Sequence, residues 1–109
     1  MSNIALETYK EYLVDIQKMV FKILPLTEEG NEYIYEYVDL VILEIAGMSS
    51  EIVDLPHGQW YARSLSLLKG LYEHVELLGD ERDVKKTKKV TLKITNAIDR
   101  QLKEVNDLL

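Results

Sequence analysis

Cysteine is missing from this chain altogether. That removes disulfides, zinc–thiolate centres and thiol nucleophiles from the chemistry to be considered. A chain without cysteine also fits a reducing compartment, and the cytoplasm is the expected location. Proline occurs only at Pro25 and Pro56, so long stretches are open to helix. The five glycines are scattered and form no phosphate-cradling loop. Histidine occurs twice, as His57 and His74. A di-iron bundle needs Glu-x-x-His on two helices, and neither histidine supplies it. Asp54 to His57 has a comparable spacing but lies beside Pro56 and Gly58. No nucleophile elbow places a serine for acyl transfer. The longest unbroken apolar run is four residues, Leu40 to Leu43. A membrane-spanning helix needs roughly 18 or more, so none is expected. The opening "MSNIALETYKEYL" has no basic segment ahead of an apolar run, and no signal peptide is expected.

What is present is the balance of a globular protein, with 47% hydrophobic and 29% charged residues over 109 positions. That length predicts one domain, 1–109, able to bury a core without metals or disulfides. The formal net charge is -6, which argues against nucleic acid as the partner of the whole protein. The charge is also polarised. Residues 1–56 hold eleven acidic and three basic side chains, and residues 57–109 hold eight acidic and ten basic. Such a chain has complementary surfaces that can pair within the fold or between copies.

Apolar periodicity predicts four helices, at about 3–24, 28–47, 59–78 and 81–108. In the first, Tyr9, Leu13, Ile16, Val20 and Ile23 step by 4, 3, 4, 3, and Pro25 is expected to end it. Thr27 is the expected cap of the second, with Glu28 and Glu29 where the helix dipole favours carboxylates. Its inner stripe is Ile34, Val38, Val41, Ile45 and Met48, with Gly47 at the end. The middle, "LVILEIA", is apolar on most sides, which points to a second buried face such as an oligomer contact. The third helix carries Tyr61, Leu65, Leu68, Tyr72 and Val75, broadened by Trp60, Leu67, Leu71 and Leu78. Gly79 and Asp80 mark a tight link to the fourth, which is expected to bury Val84, Ile94, Ile98, Leu102, Val105 and Leu109. The fold expected is all-α: a single-domain antiparallel up-down-up-down four-helix bundle.

The segment "RDVKKTKKVTLK" holds six basic residues in twelve. By helical period it is the dense half of a longer stripe: Arg82, Lys86, Lys89, Lys93, Asn96, Arg100 and Lys103. A solvated outer face and a partner-docking face both fit it. A nucleic-acid reader fits less well, since the stripe holds no aromatic residue and follows no recognition motif. Several of the lysines crowd the first turns, where the dipole disfavours cations. The candidate partner-binding residues are therefore Arg82, Lys86, Lys89 and Lys93. Trp60 and Tyr61 join them as candidate aromatic anchors. Seven tyrosines against one phenylalanine fit a bundle rim where rings are buried and hydroxyls wet, or an interface.

Glu29, Glu32, Glu36 and Asp39 step by 3, 4, 3 and are expected on one helix face. Clustered carboxylates suit Mg²⁺. "EEGNE" (Glu28, Glu29, Glu32) and "EIVD" (Glu51, Asp54) resemble the E-E-x-x-E and E-x-x-D motifs of the all-α nucleotide pyrophosphohydrolases of the MazG type. The resemblance covers about 27 residues. It implies a metal site of Glu29, Glu32, Glu51 and Asp54, although Pro56 and Gly58 stand where that family continues a helix. "LLKGLYEH" resembles the L-K-G segment of histidine phosphotransfer bundles, but Ser66 occupies the place of the phosphorylated histidine, so the activity is not expected. The function expected is binding rather than catalysis: a small interaction, adaptor or inhibitor-type protein with a protein partner, self-associating through the second helix. Neither a cofactor nor a membrane contact is expected, and the Mg²⁺-dependent hydrolase is the alternative.

Overall fold

A computed structural model of the chain describes residues 6–30, 32–48, 60–78 and 84–109. Among these the regular structure is helical: α1 (Leu6–Phe21), α2 (Ile23–Glu28), α3 (Ile34–Gly47), α4 (Trp60–Leu78) and α5 (Val84–Leu108). α1 and α2 together form one leg of an all-α four-helix bundle with up-down topology. α5 packs against α1, α2 and α4, and α3 packs mainly against α4 and more lightly against α1 and α2.

The break between α1 and α2 follows from Pro25. Its missing N–H cannot donate to the Phe21 carbonyl, and its ring crowds that group. The helix therefore yields one turn upstream, at Lys22, which keeps helical dihedrals (φ -68°, ψ -18°). The result is a kink rather than a stop. Tyr9, Leu13, Ile16, Val20 and Ile23 stay buried across it. Thr27 extends the same face as a buried residue inside α2, its hydroxyl donating to the Ile23 carbonyl at 2.9 Å. It is not the cap of the second long helix. Pro25 does not end the first segment but sits in the first turn of α2, where proline is tolerated.

The reversal comes at Gly30. Its φ of 67° is the left-handed conformation that glycine adopts without a Cβ penalty. Its N–H bonds the Thr27 carbonyl at 3.1 Å, closing α2. α3 then starts at Ile34, six residues later than the expected start near 28. Ile34, Val38, Val41 and Ile45 fill its inner face, and Met48 is half-buried.

α5 buries Val90, Ile94, Ile98 and Val105, with Thr87, Thr91 and Thr95 on the same side. Leu109, expected inside, is exposed past the last turn. Gln17 of α1 fixes the antiparallel register with α5: its side-chain amide donates to the Thr95 carbonyl at 3.2 Å and to Asp99 at 2.6 Å. The expected start of the first helix near residue 3, the stretch 49–58 and the Gly79–Asp80 link lie outside the described residues.

Candidate interaction surface

The aromatic anchor expected at the start of the third helix is a core residue. Trp60 is 8% exposed, and its indole N–H donates to the Tyr9 hydroxyl across the bundle diagonal at 2.5 Å. Burial pushes the Tyr9 phenol up to about 12, against the opposing effect of the Trp60 hydrogen bond; Glu104 adds to the rise. Tyr61, its neighbour, is half-buried beside a shallow depression with Leu65 and Lys69. The two residues therefore do not act as a pair: one closes the core and the other borders the surface.

The basic residues do share a face. Lys86, Lys89, Lys93, Asn96, Arg100 and Lys103 are all exposed along the outside of α5, and Arg82 lies outside the described residues. Leu92, 45% exposed, stands among them. The face is therefore long and cationic, with one large apolar side chain in its middle.

The carboxylates expected on one helical face are divided by the Gly30 reversal. Glu29 caps α2, Glu32 lies in the turn, and only Glu36 and Asp39 belong to α3. Glu29 and Glu32 are exposed, and Glu51 and Asp54 lie outside the described residues. The first helix motif of the pyrophosphohydrolase resemblance is thus not carried on a continuous helix. Among the described residues no group of three or more His, Cys, Asp or Glu side chains could hold a metal ion. No described helix is long and apolar enough to cross a membrane.

The surface that stands out lies on α3. Leu40 and Leu43 are 43% and 62% exposed, and Tyr33, where the helix begins, is 51% exposed. Tyr33, Glu36, Leu40, Leu43 and Gly47 step by 3, 4, 3, 4 and are all exposed, so they form one outer stripe. This spacing is that of a helix–helix seam. Ala46 lies beside it, and Glu36, Asp39 and Glu44 supply its charges. At the Tyr33 end the stripe runs into a cleft of about 340 Å³ lined by Lys22, Pro25, Leu26, Glu29, Tyr33 and Tyr37. Tyr37 is anchored there, donating to the Met19 carbonyl at 2.8 Å, and burial raises its pKa, with a further contribution from Tyr33. The sequence pointed to this helix through "LVILEIA". Leu40 and Leu43 themselves could have been singled out, because both fall off the Ile34–Val38–Val41–Ile45 stripe.

Compared with family models, curated proteins and solved structures, the chain matches none.

Proposed function

We propose that this chain acts by protein–protein association, as a binding rather than a catalytic protein of adaptor, regulator or inhibitor type, and that the contact runs through the outer face of α3. The observation that carries this reading is the continuity of Tyr33, Leu40 and Leu43 with the cleft at Pro25, Leu26 and Tyr37. Single exposed leucines are ordinary, but apolar residues lined up at helical spacing on a charged helix mark interaction surfaces. The basic face of α5, with Lys86, Lys89 and Lys93, is the secondary candidate contact, suited to an acidic surface elsewhere on the partner. The cytoplasm is the compartment in which we place this association.

The test compares capture of partners from the native cell by three forms: the wild type, a Leu40→Ser/Leu43→Ser variant and a Lys86→Glu/Lys89→Glu/Lys93→Glu variant. The reading expects the α3 variant to lose a partner that the wild type holds, while the α5 variant keeps it. A partner retained by the α3 variant and lost by the α5 variant would move the contact to α5.

A further inference from the structure

We infer that the occupant of the α3 face is a basic amphipathic helix of another protein, laid along Tyr33, Leu40 and Leu43 with its lysines or arginines against Glu36, Asp39 and Glu44. This rests on the association reading above and names the chemistry of the partner.

Shape supports a helix. The stripe from Tyr33 to Gly47 covers fifteen residues, or about 21 Å of helix length, enough for about four turns of a partner. Its two ends differ. At Gly47 a Cβ would meet nothing within 4 Å, and Ala46 beside it is exposed, so another backbone can come close there. At Tyr33 the cleft of about 340 Å³ has room for a bulky anchor beside Pro25, Leu26 and Tyr37.

Charge decides among the occupants. From Ile23 to Ala62 the chain has no lysine or arginine, so every formal charge on α3 is negative. A second α3 from another copy is a poor fit for that reason. Pairing Leu40 of one copy antiparallel to Leu43 of the other sets Asp39 against Glu44, and a parallel pairing sets each carboxylate against itself. Like charges opposed in this way disfavour the contact. The chain's own basic helix does not fill the stripe either. α5 spends Ile94, Ile98 and Val105 on the core and leaves Leu92 as the one large apolar residue within its basic outer face. Residues 49–59, which follow α3, bring Glu51 and Asp54 and no lysine or arginine. A partner that offers both an apolar stripe and flanking cations satisfies the surface on both counts.

The experiment uses three synthetic 21-residue peptides: a helix with leucines at heptad spacing flanked by lysines, the same helix with glutamates replacing the lysines, and a scramble of the first that abolishes its apolar face. Each is titrated by calorimetry, with amide chemical shifts of the protein recorded in parallel. The wild type is expected to bind the lysine helix at least about tenfold more tightly than either other peptide, with the largest shifts along α3 and an affinity that falls as salt rises. Leu40→Ser/Leu43→Ser and Glu36→Lys/Asp39→Lys/Glu44→Lys should each lose at least about tenfold. Reversing Glu7, Glu11 and Asp15 on the exposed side of α1 should change the affinity by less than about threefold. Circular dichroism checks that each variant keeps its helix content.

Equal binding of the scrambled peptide, or equal loss in the α1 variant, would reduce the effect to undirected attraction and overturn the inference. Tight binding of the glutamate helix, or no binding of the lysine helix at millimolar concentration, would also overturn it while leaving the association reading to the capture test. A dimer in sedimentation that Leu40→Ser/Leu43→Ser dissolves would make a second copy the occupant and overturn it too. The association reading itself falls only if the wild type captures nothing that the α3 variant loses.

Discussion

Leu43 and Ile45 lie two residues apart on α3 and should respond to the same truncation by very different amounts. With 62% of its surface open, Leu43 has buried a little over a third of what folding could bury, whereas Ile45 is fully buried. Complete burial of a leucine contributes about 1.5–3 kcal/mol, so Leu43→Ala should cost about 0.5–1 kcal/mol. Alanine is also the better helix former, which offsets part of that loss. Ile45→Ala removes a side chain packed on all sides and leaves a cavity, at a cost of about 2–5 kcal/mol. For a chain of 109 residues, 1 kcal/mol corresponds to about 4 °C in Tm.

The assay is urea unfolding of the two variants beside the wild type, followed by circular dichroism, with thermal scans as a second readout. Equal m-values would show that each variant unfolds from a native state of the same compactness. The expected pattern is a melting temperature lowered by about 2–4 °C for Leu43→Ala and by 8 °C or more, on the order of two to five times 4 °C, for Ile45→Ala. A Leu43→Ala cost above about 2 kcal/mol would place that side chain in the core. The outer stripe of α3 would then not exist as a surface, and both the proposed contact and its basic partner would go with it.

Three further outcomes follow from the geometry. Tyr9→Phe leaves the buried Trp60 N–H without its acceptor and should cost about 1–3 kcal/mol, with a changed emission from the chain's single tryptophan; an unchanged stability and spectrum would mean the hydrogen bond contributes nothing. Gly30→Ala places a Cβ on a residue at φ 67° and should destabilise by about 1–2 kcal/mol in urea unfolding, while a neutral result would show that the turn adopts another conformation. Tyr9, Tyr12 and Tyr37 all have raised pKa values, chiefly through burial, so the folded state holds their protons where the unfolded chain has released them. Their contribution is complete below pH 10 and is lost as pH rises above it, for the fully buried Tyr9 by up to about 1.4 kcal/mol per pH unit toward 12; urea midpoints that stay level from pH 9 to about 11.5 would contradict this.

The features that were legible in the sequence are those set by helical period. Tyr9 to Ile23 and Ile34 to Ile45 are buried as their spacing requires, because a helix with one apolar face has one low-energy way to meet its neighbours. The features that were not legible depend on how a single residue resolves competing demands. Pro25 signals a break, but the break falls at the turn its ring crowds, and the apolar face carries the chain through it. Gly30 reads as neutral inside a helical pattern, yet the φ it allows decides where α3 begins and which carboxylates share a helix. Trp60 beside a Pro/Gly-rich connection reads as a surface anchor. Its burial depends on Tyr9, 51 residues away, and periodicity along one helix says nothing of a contact across the diagonal.

The α1–α3 edge links the fold to the proposed contact. Tyrosine hydroxyls on backbone carbonyls tie it. Tyr37 bonds the Met19 carbonyl at 2.8 Å, and Tyr12 reaches the Glu44 carbonyl over a longer 3.5 Å. Seven residues separate Tyr12 from Met19, and seven separate Tyr37 from Glu44, so both bonds obey one antiparallel register. That register holds α3 from its inner side at both ends, independently of anything on the outer face. Leu40, Leu43 and the Tyr33 end of the cleft are therefore carried on a helix already fixed in place. A partner helix would order few groups on arrival, and the entropy that usually opposes docking would fall mainly on the partner. An outer stripe that the core does not need, on a helix that the core already immobilises, is the arrangement expected of a surface retained for binding.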